Sequence, residues 1–276
     1  MPEVRSKGVR IRYDDVGQSE PALLFLPGWC TSRAVFGPLL SRLGAHHRLL
    51  SVDLRGHGQS GRGSEDFTSD TVVGDLLEVL RASGVRQVVP VALSHAGWFA
   101  IELRRRLGER VAGIVLLDWL VLEPPPQFLE VLRGLQSEAW RENRDALFEM
   151  WLSGVDSDEA IRFVREDMGA FGEGMWMRAA REIASAYGRE GYPLRALSAL
   201  SPPVPTMHLY SQAAYPEYVI AQQSFAADHP WFLAVKLDAR GHFPTFEVPE
   251  ALAAHLERFV SRKGVRSEAE PMLYPS

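Results

Sequence analysis

Short apolar runs recur along the chain, and turn formers separate them. Residues 22–26, Ala-Leu-Leu-Phe-Leu, are stopped by Pro27-Gly28. Residues 49–54 are stopped by Arg55-Gly56, and further runs fall at 88–93, 111–117, 205–210 and 232–237. Such runs lack a polar face, so they read as strands covered on both sides. Between them the spacing turns helical. Residues 71–83 carry apolar side chains at that spacing and end near Gly84. Residues 97–107 place Trp98, Phe99, Ile101 and Leu103 along a helix whose last turn holds Arg104 to Arg106. A final helix is predicted over 252–260. Strands that alternate with helices in this way predict an α/β fold, a mostly parallel sheet covered on both faces.

One stretch breaks the alternation. Residues 123–187 open with Pro124-Pro125-Pro126 and continue in helix formers rich in Trp, Phe and Met, among them Phe128, Trp140, Trp151, Met168 and Trp176. No strand-like pattern occurs there. This predicts a helical lid inserted between two strands, covering an apolar space. The organisation expected is a core in two parts, 1–122 and 188–264, the lid at 123–187, and a fraying polar tail over 265–276 that begins near Lys263.

Composition narrows the classes. The chain has 276 residues, 46% of them hydrophobic, enough for one sizeable core and a small lid. The net charge is −5 and no basic stripe occurs, which argues against nucleic acid as a partner. No apolar run reaches transmembrane length, so no membrane association is expected. The polar N-terminus lacks a secretory apolar region, and the chain has 1 cysteine, Cys30; a reducing cytoplasm is the expected location, with Cys30 packed and inert. His-x-His, His-Glu-x-x-His and cysteine clusters do not occur, so no metal is expected.

The candidate chemistry lies at the ends of the strands. Ser94 ends a strand and precedes a helix, so its side chain projects above the carboxyl edge of the sheet. The backbone N–H groups of His95 and Trp29 are candidates for an oxyanion hole. His242 follows the last strand on the loop Asp238-Ala239-Arg240-Gly241-His242-Phe243-Pro244, the position of a general base in the α/β-hydrolase fold. Asp118, at the end of the fourth run, and Glu217, after the fifth, compete as its acidic partner; the strand-end position favours Asp118. Ser94, Asp118 and His242 thus follow the α/β-hydrolase order. The serine turn, however, reads Ala92-Leu93-Ser94-His95-Ala96-Gly97 rather than Gly-x-Ser-x-Gly. Gly56-His57-Gly58-Gln59-Ser60-Gly61 matches Gly-x-Gly-x-x-Gly after a strand, yet no helix starts behind it, so it is not read as a dinucleotide site.

Several segments together resemble the cofactor-free 3-hydroxy-4-oxoquinoline and 3-hydroxy-4-oxoquinaldine 2,4-dioxygenases. They are Leu26-Pro27-Gly28-Trp29-Cys30, Asp53-Leu54-Arg55-Gly56-His57-Gly58, Asp118-Trp119-Leu120, Leu147-Phe148-Glu149-Met150-Trp151, Asp228-His229-Pro230-Trp231-Phe232 and Gly241-His242-Phe243-Pro244. The likeness spans roughly residues 20–260. It implies a ring-cleaving, carbon-monoxide-releasing dioxygenase that needs no cofactor, with a small aromatic heterocycle and O2 as its partners. It implies His242 as the base and Asp118 as the residue that orients it. Ser94 becomes a hydrogen-bonding group, His95 and Trp29 line the pocket, and Trp151 reaches the bound ring from the lid. Thr31 and Leu93 stand where members acting on small substrates carry histidines. That difference implies a pocket for a longer 2-alkyl group, as in 2-alkyl-3-hydroxy-4(1H)-quinolones such as the 2-heptyl compound. A serine esterase or lactonase and a catalytically silent binding protein are the competing readings.

Overall fold

The computed structural model describes residues 2–212 and 215–264, so the tail expected over 265–276 lies outside the described residues. Among the described residues, eight strands form one sheet: β1 (Glu3–Ser6), β2 (Val9–Val16), β3 (Ala22–Leu26), β4 (Leu49–Val52), β5 (Val88–Leu93), β6 (Ile114–Leu117), β7 (Thr206–Tyr210) and β8 (Phe232–Lys236). Their order is β1-β2-β4-β3-β5-β6-β7-β8. β2 runs antiparallel to β1 and β4, and every later pairing is parallel. The central strands β3, β5 and β6 are buried along their whole length, as their unbroken apolar runs require.

On the core, α1 (Gly37–Leu43), α2 (Ser69–Ser83) and α3 (Gly97–Leu107) cross between strands. Thr68 caps α2 by accepting the Thr71 N–H, and Gly84 ends it at φ +66°. Between β6 and β7 the chain leaves the sheet through α4 (Pro126–Gly134), α5 (Trp140–Leu152), α6 (Asp158–Arg162), a π-helical turn over Phe163–Met168, α7 (Glu173–Glu190) and α8 (Pro193–Ser198). A helical insertion between two strands is what the sequence predicts, but the expected boundary at 187 falls inside α7, which continues to Glu190. Helices α9 (Pro216–Asp228), α10 (Pro244–Glu247) and α11 (Pro249–Gly264) complete the fold. Among the described residues, no helix is long and apolar enough to cross a membrane.

The lid is fastened to the core along α7. Asp66 accepts from Arg178 Nε at 2.6 Å and from an Arg181 terminal nitrogen at 2.7 Å. Glu182 accepts the Ser69 N–H at 2.7 Å at the start of α2, where a carboxylate also complements the helix dipole. The Arg178 guanidinium lies 4.3 Å from the centre of the Phe67 ring. Gly56 leaves room for the lid: a Cβ there would come within 2.8 Å of Met175 Cε.

Candidate active site

Four segments bring the site together at the carboxyl edge of the sheet. β5 ends at Leu93, and Ser94 enters a single 3-10 turn before α3 with φ at +53°. Asp118 follows β6 with φ at +45°, and Cys30 follows Trp29 beyond β3 with φ at +57°. Non-glycine residues avoid this region, so each marks a corner held by its surroundings. His242 lies on the loop between β8 and α10.

The structure pairs His242 with Asp118. Nδ1 of the histidine is 2.7 Å from Asp118 Oδ2. Asp118 Oδ1 accepts the backbone N–H of Ser211 at 2.7 Å and of Gln212 at 2.9 Å. The Ser211 hydroxyl lies 3.0 Å from the same oxygen and 2.6 Å from the Gly241 carbonyl, tying the acid to the histidine loop. Burial pushes the Asp118 carboxyl up. Its contact with His242 and the two amides outweigh that and hold it below its ordinary value. Trp151 of α5 stacks on the His242 ring at 4.9 Å and 15°. The Trp151 carbonyl accepts the His242 N–H at 3.3 Å. Glu217, the competing acid, is exposed at the start of α9.

Ser94 stands on the same wall, but among the described residues its hydroxyl makes no hydrogen bond to His242 or to any other group. Nor do the Trp29 and His95 backbone N–H groups donate to a protein acceptor among the described residues. Gly28 lies beside the Leu93 carbonyl and the Ser94 side chain, so the two segments meet there. The Thr31 hydroxyl is spent on the Gly28 carbonyl at 2.7 Å.

The glycine-rich stretch behind this wall is a support. A Cβ on Gly58 would come within 2.3 Å of the Asp53 carboxylate, which accepts the Arg33 and Gln59 N–H groups at 2.9 and 2.8 Å. His57 accepts the Cys30 N–H on Nε2 at 3.0 Å, and its Nδ1 sits 2.8 Å from the Arg55 carbonyl. Burial lowers its pKa to about 4, so this imidazole is neutral and holds the strained Cys30 corner. His208 does the same behind Asp118. Its Nε2 accepts the Trp119 N–H at 3.3 Å while Nδ1 faces Gln222 at 2.6 Å. Burial lowers it to about 4 as well. Ser211, Gln212, His57 and His208 were not singled out from sequence. The sequence holds a signal only for Ser211 and Gln212, which directly follow an apolar run.

A cavity of about 430 Å³ opens above the dyad, and all eight sequence-predicted residues line it: Trp29, Thr31, Leu93, Ser94, His95, Asp118, Trp151 and His242. Its other wall comes from the lid, with Leu132, Leu147, Met168, Trp176, Ala180 and Ile183 among its residues. Phe128, half-buried on α4, stacks on His95 at 5.5 Å.

Residues 23–255 match the alpha/beta hydrolase family, the class that this fold and site define. The chain is 37% identical to the 2-heptyl-3-hydroxy-4(1H)-quinolone dioxygenase of Mycobacteroides abscessus, over 90% of this chain and 93% of that protein. It is 32% identical to the 1H-3-hydroxy-4-oxoquinoline 2,4-dioxygenase of Pseudomonas putida, over 94% and 99%. The solved structure of an AqdC variant with its substrate, described as recognising and ring-cleaving the Pseudomonas quinolone signal, aligns at a TM-score of 0.90. It shares 35% identity and covers 95% of this chain and 99% of its own. The chain therefore belongs to the alpha/beta hydrolase family, within the group of its hydroxyquinolone 2,4-dioxygenases.

Proposed function

We propose that this protein is a cofactor-independent dioxygenase that opens the heteroaromatic ring of a 2-alkyl-3-hydroxy-4(1H)-quinolone such as the 2-heptyl compound. The products are an N-acylanthranilate and carbon monoxide. The observation that carries the reading is a His242–Asp118 pair facing a largely apolar cavity while the neighbouring serine stays unbonded to the histidine. In a hydrolase the histidine serves the serine; here it is left to serve the substrate.

With Nδ1–H donated to Asp118, His242 presents Nε2 as a base. It takes the 3-hydroxyl proton, and the buried carboxylate stabilises the imidazolium that results. The Trp29 and His95 backbone N–H groups and the Ser94 hydroxyl, which have no protein acceptor among the described residues, hold the oxygens of the substrate anion. The anion is electron-rich enough to reduce O2 itself. Both oxygen atoms enter the ring, at C2 and C4, and C3 leaves with its oxygen as carbon monoxide. The protein's work is deprotonation, positioning and exclusion of water. The lid supplies the exclusion and receives the 2-alkyl chain.

The test is incubation with 2-heptyl-3-hydroxy-4(1H)-quinolone with and without oxygen. One O2 consumed and one carbon monoxide released per ring opened is expected, with no turnover under anaerobic conditions. An intact quinolone in the presence of oxygen overturns the proposal.

A further inference from the structure

His95 carries a second donor besides its backbone. The Trp119 indole N–H, which can only donate, lies 3.1 Å from His95 Nδ1. Nδ1 must therefore be the unprotonated, accepting nitrogen, and the neutral ring keeps its hydrogen on Nε2. Protonation at Nδ1 would set two N–H groups head to head. Burial also drives the His95 pKa down to about 3, with His242 adding to the shift.

The indole that imposes this tautomer is itself fixed. Its benzene half lies over Gly97, where a Cβ would come within 2.1 Å of Cζ3. Its backbone N–H is held by His208 and its carbonyl accepts from the Tyr218 hydroxyl at 3.1 Å. Phe128 stacks on the imidazole at 5.5 Å, and Tyr187 meets it edge-on at 5.8 Å. Its Nε2 has no protein partner among the described residues and is not one of their sealed polar atoms, although the residue lines the cavity.

We infer that the His95 imidazole is a neutral hydrogen-bond donor to an oxygen of the bound substrate anion, and that Trp119 is the positioning residue that locks it in the Nε2–H form. This rests on the proposed dioxygenase reading. An anion that must hand electrons to O2 needs donors that stabilise it without returning a proton. An imidazolium at this position would protonate the anion, whereas a neutral N–H holds it.

The experiment compares His95→Leu with His95→Gln, whose amide N–H falls near the Nε2 position, using 2-heptyl-3-hydroxy-4(1H)-quinolone. Loss of a hydrogen bond to a charged group predicts a fall in kcat of about ten- to a hundredfold for His95→Leu, with part of it recovered in His95→Gln. Anaerobic absorbance of the bound quinolone should show less of the anion in His95→Leu. Trp119→Phe should lower kcat more than it changes KM. Equal activity of the Leu and Gln variants, or wild-type activity in the Leu variant, overturns the inference. If the Leu variant does not fold, the imidazole ¹⁵N shifts of the wild-type protein decide: a protonated Nδ1 on His95 overturns it. Absence of quinolone turnover by the wild-type enzyme counts against the dioxygenase reading instead, and the ¹⁵N shifts still decide the tautomer.

Discussion

The two walls of the cavity are built by opposite means. The core wall is a set of strand-end corners, and those at Asp118 and Cys30 are backed by hydrogen bonds from other segments. Ser94, Asp118 and Cys30 adopt positive φ, and Ser211, Gln212, His57 and His208 brace the last two corners or their neighbours. The lid wall is helical and apolar, and its fastening to the core is a patch of ion pairs and ring contacts around Asp66 and Phe67. Directional bonds fix atoms to a few tenths of an ångström, which proton transfer needs. Apolar packing is non-directional and tolerates differing shapes, which suits a substrate tail. On the proposed function, this contrast gives the chemistry to the core wall and the selection of substrate to the lid.

The sharpest way to break that assignment is to remove the base. His242→Ala should lower turnover by about two to four orders of magnitude, the usual worth of a positioned general base. Asp118→Asn should cost less, since the imidazole remains. Steady-state rates at neutral pH decide: His242→Ala within threefold of wild type would take the chemistry away from this wall.

The sequence revealed the core wall more completely than what braces it. The runs at 22–26 and 88–93 and the helix at 97–107 match β3, β5 and α3 residue for residue, because strands buried on both faces leave an unbroken apolar signature. Strand order at 111–117 is shorter in the structure: β6 begins at Ile114, and Val111 makes only an isolated bridge to Val88. The antiparallel β1 and β2 were not expected; β2 is charged on its outer face and only half-covered, so its signal is weak. Helix α9 leaves no clear periodic signal, because its apolar residues gather on no single face. Trp29, Ser94, Asp118 and His242 were legible because strand ends are where this fold displays side chains. His57 and His208 were not, because their partners come from distant segments. Nothing local in Gly56-His57-Gly58 reveals that its histidine holds the Cys30 amide.

Acid separates the two walls next. The buried His57 and His208 have folded pKa values of about 4, below the 6.5 of an unfolded histidine. The unfolded chain therefore binds protons first. The stability they confer is complete above pH 6.5 and is lost as the pH falls from 6.5 to about 4, by roughly 3 kcal/mol for each histidine. The lid clamp outlasts this, since Arg181 and Arg178 hold the Asp66 carboxyl down at about 2. Urea unfolding across that pH window should show midpoints that drop on acidification. A flat profile would mean that these imidazoles do not hold the core wall in neutral form.

Ser94→Ala is a smaller perturbation and a sharper discriminator. A serine that only donates a hydrogen bond to substrate should cost about 1–3 kcal/mol on removal, leaving measurable dioxygenase turnover. A serine nucleophile would leave only the residual catalysis of its oxyanion donors. Intact-protein mass spectrometry during turnover gives the second readout. An acyl adduct on Ser94 would move the reaction from the substrate anion to the serine.

The finest test addresses the lid. Leu93 contributes an apolar side chain at the floor, and the Thr31 hydroxyl is turned onto the Gly28 carbonyl, so neither competes for a polar 2-substituent. On the proposed function, the dyad holds the hydroxy-oxo ring and the 2-substituent runs toward the helices of the lid. Each methylene buried there should add roughly 0.8 kcal/mol, about a fourfold gain in kcat/KM, until the space is filled. The tail makes the same contacts before and during the reaction, so the gain should appear mainly in KM. A series from 2-methyl to 2-heptyl substrates at fixed oxygen measures it. Ile183→Trp, which fills part of the lid wall, should shorten the preferred chain while leaving kcat for the 2-methyl compound nearly unchanged. If kcat rather than KM tracks chain length, the lid takes part in the chemistry, and the division between the two walls fails.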